Sequence, residues 1–505
     1  MEKQMNKYNH IKAVVLQLLS FAILSATLPS CNKWLDIHPK SQIEEGELFA
    51  SESGFEEALN GVYIRLGQPD VYGEELTTGL PDVLAQNYSL STDLDLYKYL
   101  QTERFKYTDP DFIQRRDNIF KGLYNGIVNL NLILEHLEGQ EALFTGNNYN
   151  LIKAEALGLR AYVHFDLFRL FGSSMASGGS VGIPYVTTYS NKVTALSTPR
   201  EVMDKIEKDL TTAKELLKPI DPIISDAYVI DYPGSDSTTE AKDPSLFMQM
   251  RRNRFNYYAA AATLARVYLY DQKNQLAEQN ALEVIEADKF PWTDAADVTS
   301  VDEETKDLLF YKELVFGWHA PWAVEGLTKR FESGTGGLFL DKDEQDRIYE
   351  FNSVGGEDIR YKNWFELDVN GKIEFQKYHR NPKGDETNPA DNLFPQTLPA
   401  IRLSEMYYIA AETTFDQDPV KAAAYVDSVR FNRGIGVKFS ATSKADFLSQ
   451  LTREARKEFY GEGQVFYMYK RLNMSFPGHN GTQITARPDV FVLPLPVNEI
   501  EFGNR

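Results

Sequence analysis

The chain has 505 residues, 43% hydrophobic and 12% aromatic, with a single cysteine and a formal net charge of −20. That charge repels nucleic acid and anionic lipid, and the hydrophobic share is ample for a large packed core rather than an acidic disordered chain. One thiol excludes a disulfide within the chain, so the fold must be held by burial.

The first predicted element is a leader. Lys3, Lys7 and Lys12 precede an almost wholly apolar run over residues 13–28, and Leu28-Pro29-Ser30-Cys31 follows. A basic start and an apolar stretch too short to span a bilayer comfortably describe a secretory signal peptide over 1–30. A small residue directly before cysteine predicts a lipobox, in which the Cys31 thiol is acylated. More than one acyl chain there suffices for stable anchoring. No later apolar run approaches 18 residues, so the membrane is expected to hold the protein by lipid alone.

Beyond the leader, helices are predicted at 53–66, 117–138, 149–171, 199–217, 251–270, 273–287, 400–415, 419–433 and 443–460. In 149–171 the apolar stripe is Ala156, Leu159, Val163, Leu167 and Leu170. In 251–270 it is Phe255, Tyr258, Ala259, Ala262, Ala265 and Leu269, and in 400–415 it is Leu403, Met406, Tyr407 and Ala410. Each stripe keeps the three- and four-residue spacing of one helix face. Thr198-Pro199-Arg200-Glu201 is a start signal, with Thr198 as cap, Pro199 at the first position and Glu201 two residues further on. Paired helices with alternating large and small residues predict a mostly α fold on a tetratricopeptide-like helix-pair scaffold.

The scaffold is expected near residues 40–70, 115–220, 250–290 and 400–475 of a single domain spanning 31–505. Four insertions, at about 70–115, 172–198, 220–250 and 290–400, lack helical period and are rich in Gly, Pro, Asp, Asn and aromatic residues. They predict a large irregular, loop-rich subdomain of the kind that carries function.

Catalytic signatures are thin. Gly178-Gly179-Ser180-Val181-Gly182 has G-x-S-x-G spacing, but a helix precedes it and an extended segment follows, the reverse of a nucleophile elbow. It reads as a flexible loop. The seven histidines never pair at helical spacing and no second thiol is present, which leaves no zinc pattern. Asp341, Asp343 and Asp346 lack the central glycine and closing glutamate of a calcium loop and read as an exposed acidic turn. No two carboxylates single themselves out for sugar hydrolysis. No catalytic residue, metal or cofactor is therefore expected.

Aromatic residues in the aperiodic segments stand out instead. Trp318-His319-Ala320-Pro321-Trp322 places two indoles four residues apart, and Trp292 and Trp364 fall in the same insertion. Residues 82–99 mix Tyr88, Tyr97 and Tyr99 with Asp82, Gln86 and Asn87. Flat rings beside amide and carboxylate acceptors suit sugars, and they also suit peptides. The alternative for any one of these residues is a satellite core beneath a long loop. The candidate ligand contacts are Trp318, Trp322, Tyr88, Asn87, Asp82, Trp364 and Trp292.

Several segments, taken in order, carry a family resemblance. They are Cys31-Asn32-Lys33-Trp34-Leu35-Asp36 with Pro39, Ala58–Tyr63, Leu123-Tyr124-Asn125-Gly126-Ile127 with Asn131, and Arg160-Ala161-Tyr162 leading to Phe171-Gly172 and Ile183-Pro184. Ala259–Tyr268, Ile401–Glu412, Val429-Arg430 with Arg433-Gly434, and Leu493-Pro494-Leu495-Pro496 with Glu499, Ile500 and Asn504 continue the series. Together they resemble the SusD/RagB family, surface lipoproteins of Bacteroidetes nutrient uptake. Ala455, Val465 and Met468 depart from the pattern, standing where Arg, Arg and Asp are usual. The family's polar residues there imply a buried ion network, so this divergent chain is expected to have rebuilt that packing.

The resemblance implies about four tetratricopeptide repeats and a non-catalytic lid over a SusC-like TonB-dependent outer-membrane transporter. It implies an oligosaccharide ligand, or a peptide in some branches, and an anchor in the outer membrane facing the cell exterior. The rival readings are a surface glycosidase and a repeat adaptor with no small ligand.

Overall fold

A computed structural model describes residues 46–301, 306–321, 323–335, 337–379 and 397–503. The leader, Cys31 and Trp322 lie outside the described residues. The chain forms two compact units, Met1–Gly54 and Phe55–Arg505. Of the first, residues 46–54 are described: a short helical turn and the start of helix α1 (Glu52–Leu66).

The second unit is mostly helical. Its long elements are α2 (Pro110–Leu137), α3 (Asn148–Phe171), α4 (Pro199–Leu217), α5 (Tyr257–Tyr270), α6 (Asn274–Glu286), α7 (Leu403–Thr414), α8 (Pro419–Asn432), α9 (Lys444–Glu458) and α10 (Val465–Leu472). From α2 to α8 each helix packs on the next in chain order. Helices α6 and α7 are neighbours although residues 287–402 separate them, so that insertion leaves the scaffold and returns to it.

Local chemistry sets the boundaries. Helix α4 begins where its start signal places it: the Thr198 side chain accepts from Glu201 N, and the Glu201 carboxylate accepts from Thr198 N at 2.8 Å. Helix α2 starts at Pro110, seven residues before the predicted start, because Asp109 caps it by accepting from Asp111 N and Phe112 N. Helix α5 starts later than predicted. Asn256 caps it through Ala259 N, while Arg251 and Arg252 turn away into buried ion pairs with Asp221, Glu155 and Glu240.

The predicted stripe of α3 understates its burial. From Leu151 to Phe171 every residue except Lys153 is buried, because other elements surround the helix. Its polar residues are consequently paired. Arg160 donates to Asp209 of α4 at 2.8 Å and to Asn131 of α2 at 2.9 Å, tying three helices at one point.

The insertion 287–402 carries the main strands. Strand β1 (Leu314–His319) runs antiparallel to β5 (Thr397–Arg402), with Trp318 opposite Leu398. Strand β4 (Lys372–Phe375) lies between β2 (Leu340–Asp341) and β3 (Phe365–Leu367) in a small antiparallel sheet.

A buried ion network fastens this subdomain to the scaffold. Glu458, at the end of α9, receives Arg360 at 2.6 Å and Arg433 at 2.7 Å, and it also pairs with Arg402. Arg433 reaches Glu313 at 2.5 Å, and Arg402 reaches Glu462 at 2.7 Å. Burial alone would raise the Glu458 pKa, but Arg433, Arg402 and Arg360 hold it well below the usual carboxylate range. At the divergent positions, Ala455, Val465 and Met468 line a small cavity of about 70 Å³. The ion pairs Arg266–Glu405 and Arg471–Glu412 border that cavity, so apolar side chains and ion pairs line it together.

Candidate functional site

The segment 75–99 begins with a π-helical turn (Glu75–Gly79) and a short helix (Leu80–Leu84) and then crosses to the insertion. Asp82, Asn87 and Tyr88, singled out from the sequence, do come together, but beneath the surface. Asn87 Nδ2 donates to Asp82 at 3.1 Å, and Tyr88 Oη lies 2.9 Å from Thr78 O and 3.2 Å from Asp82 Oδ2. Arg456 Nε donates to Asn87 Oδ1 at 2.9 Å, and Tyr460 Oη to Asn87 O at 2.8 Å. Burial pushes the Asp82 carboxyl up to about 8, against the hydrogen bonds from Tyr88, Gly461 and Asn87, so at neutral pH it is chiefly uncharged. The expectation that these three present acceptors to a ligand is corrected: they secure the loop from below.

Two indoles are corrected in the same way. Trp318 is 1% exposed and stacks on Tyr72 at 4.4 Å, with Tyr162 and Phe316 edge-on around it. Trp364 is fully buried, donates from Nε1 to Leu308 O at 2.8 Å and carries Lys377 over its ring at 4.2 Å. A long insertion needs its own core, and large rings supply it. Trp292 is half-buried against Tyr407 at 5.2 Å, with the Arg433 guanidinium 5.3 Å from its ring.

The Gly178–Gly182 run forms a loop. Gly178 takes a left-handed φ of 65°, Ser180 is exposed, and a two-residue strand follows at Ile183–Pro184. The acidic turn is likewise engaged, Asp341 by Lys372 and Asp346 by Lys342.

The open feature lies just above the buried cluster. Ser89 N donates to Phe339 O at 2.8 Å, and Asp341 N donates to Ser89 Oγ at 3.0 Å, joining segments 252 residues apart. Past this join the chain opens a cleft of about 430 Å³. Leu90, Ser91, Thr92 and Leu94 line one wall, and Ser333, Phe339, Asp341, Asn370 and Lys372 line the other. Lys372 Nζ sits 2.8 Å from Asp341 Oδ1 and 4.4 Å from the centre of the Phe339 ring. Asp368 accepts from Asn370 N at 2.8 Å and Lys372 N at 2.7 Å, shaping the tight turn that presents Asn370.

Phe339, Asn370 and Lys372 escaped the sequence reading. Asn370-Gly371 between two short alternating runs is a hairpin signal, and it could have located this wall. Among the described lining residues there is one carboxylate and no histidine, so they hold no carboxylate pair or nucleophile–base pair. Phe339 is 6% exposed with Lys372 over its ring, so it floors the cleft, and the hydroxyls, amide and paired charge around it can hold a polar ligand. A larger hollow of about 580 Å³ lies between α2, residues 184–194 and the segment 496–503, away from the join of the two long insertions.

Fold and cleft together define a helix-pair scaffold protein with a loop-built opening. A family model described as "Starch-binding associating with outer membrane" matches residues 33–222, and one described as "SusD family" matches 349–486. The chain belongs to the SusD/RagB family. It is 22% identical over 282 residues to SusD-like protein P25 of Formosa agariphila, a match covering 54% of this chain and 46% of that relative's length. Among solved structures, a SusD superfamily protein from Bacteroides thetaiotaomicron superposes with a TM-score of 0.71 at 22% identity, over 90% of this chain and 98% of that one. A SusD-like carbohydrate binding protein from Bacteroides vulgatus gives 0.67 at 17% identity, over 90% and 96%.

Proposed function

We propose that the protein captures an oligosaccharide in the cleft between residues 90–94 and 333–372, leaves its bonds intact, and delivers it to a SusC-like TonB-dependent transporter. The observation that carries this reading is the join at Ser89 and Phe339, where two aperiodic insertions combine into one polar opening. Family membership and the carbohydrate-binding relative among the solved structures support a sugar ligand. A lipid tether at Cys31 would place the cleft at the outer membrane, facing the exterior. Trp322 lies outside the described residues, and the proposal keeps it as a candidate ligand contact.

A few hydrogen bonds in one open cleft favour release as well as capture, so affinities of roughly −4 to −8 kcal/mol, millimolar to micromolar, are expected. Isothermal titration against glycan and peptide panels tests this. Saccharide binding that Thr92→Ala and Asn370→Ala both weaken supports it. Binding of peptides alone, or steady release of shortened sugars above a boiled control, overturns it. Mass spectrometry of the native protein tests the tether, which an unmodified Cys31 thiol would refute.

A further inference from the structure

We infer that the cleft selects uncharged glycans over those bearing uronic acids or sulfate. This rests on the capture reading above and goes beyond it by assigning the charge class of the ligand. Lys372 is the only cation among the described lining residues. Its ammonium is engaged on two sides, by the Asp341 carboxylate at 2.8 Å and by the face of Phe339 at 4.4 Å. Among the described lining residues no guanidinium offers the paired donors that carboxylate and sulfate prefer.

The same segments carry negative charge. Asp93 lies between lining residues Thr92 and Leu94 and is exposed, and Asp368 shapes the turn that presents Asn370. The chain as a whole carries −20. The Lys372–Asp341 pair is itself half-open, with side-chain exposures of 38% and 53%, so separating it costs little. Separation nevertheless uncovers a carboxylate along with the ammonium, so an incoming anion gains one attraction and meets one repulsion. A neutral sugar meets neither, and along the opening it finds the Ser91 and Thr92 hydroxyls and the amide of Asn370, whose Nδ2 also donates to Asp368 as Ser333 Oγ does.

The test uses the mature protein and its Asp341→Asn variant, titrated at low salt with gluco-, manno- and galacto-oligosaccharides and with their C6-oxidised forms. Oxidation trades a hydroxymethyl group for a carboxylate of similar size. The neutral form is expected to bind wild type at least about tenfold more tightly, with the gap narrowing as salt is added. Asp341→Asn leaves the Lys372 ammonium without its carboxylate, and the preference is expected to shrink at least about threefold or invert. Melting curves of the variant confirm that this exposed substitution keeps the fold. Equal or tighter binding of the oxidised form by wild type overturns the selectivity while glycan capture stands. An unchanged ratio in Asp341→Asn overturns its assignment to this pair. Failure of both forms to bind overturns the capture reading and the selectivity with it.

Discussion

Arg456, near the end of α9, donates from Nε to Asn87 Oδ1 at 2.9 Å and from Nη2 to the backbone oxygen of Gln86. A scaffold side chain thus holds the root of the loop whose tip lines the cleft. Arg456→Ala leaves two buried acceptors unsatisfied, and each such group costs about 1–3 kcal/mol. Both a lower urea midpoint and weaker saccharide binding are expected, although Arg456 is not among the cleft-lining residues. A variant that loses neither would show that the loop is anchored elsewhere.

The ion network at Glu458 is expected to dominate the stability of the subdomain. Glu458→Ala removes the carboxylate that Arg360, Arg402 and Arg433 share in a dry interior, leaving them paired with Asp358, Glu462 and Glu313 respectively, and breaking such a network costs about 3–5 kcal/mol. Lys362→Ala, which removes a solvent-exposed pair with Glu357, is expected to cost under about 1 kcal/mol. Denaturant titration of both variants measures the contrast, and equal losses would contradict it.

Trp318 and Asn370 should separate stability from binding. Trp318→Ala opens a cavity among Tyr72, Tyr162 and Phe316 and is expected to cost about 3–5 kcal/mol. Asn370→Ala is expected to act chiefly on affinity, since Asn370 is exposed and lines the cleft. Melting temperatures read beside titration calorimetry decide this, and an Asn370→Ala protein with undiminished saccharide affinity would contradict the assignment of the cleft.

Stability should fall as pH rises from about 6.5 to 8. His479 lies 3.0 Å from a Glu103 oxygen and 3.8 Å from a Glu344 oxygen; burial alone would lower its pKa, but these carboxylates lift it to about 8. A histidine raised above its unfolded value stabilises fully below about 6.5 and loses that contribution as pH passes 8, here about 2 kcal/mol. Asp82 contributes the same sign over a wider span, because its buried carboxyl, raised to about 8, resists ionising while the unfolded residue ionises near 4. His164, buried with its pKa lowered to about 3, changes stability on the acid side of this window. His479→Gln should reduce the slope between 6.5 and 8 to the share Asp82 supplies, and Asp82→Asn should flatten the slope that begins near 4. Unfolding free energies across pH test both, and wild-type slopes persisting in the variants would refute these assignments.

The scaffold was legible because its signals are local. Helix α4 follows from four residues around Thr198, and the stripes of α3, α5 and α7 follow from spacing alone. The start of α2 at Pro110 could have been read from Asp109-Pro110. The late start of α5 could not, because Glu155, Asp221 and Glu240 draw Arg251 and Arg252 away from distant points of the chain. The ligand contacts suffered most. An aromatic residue in an aperiodic segment reads the same whether its ring faces solvent or packs beneath a loop, and Trp318, Trp364 and Tyr88 are buried.

By itself, the order of residues determined the helix-pair scaffold, the family resemblance and the division between periodic and aperiodic segments. These depend on spacing over a few turns and on backbone caps, which neighbours in the chain supply. Only the tertiary structure decided that residues 89 and 339 meet, that Asp82 and Asn87 lie beneath the loop, and that Phe339 and Asn370 line the opening. Such outcomes depend on which buried groups find partners hundreds of residues away, and no local pattern encodes that pairing.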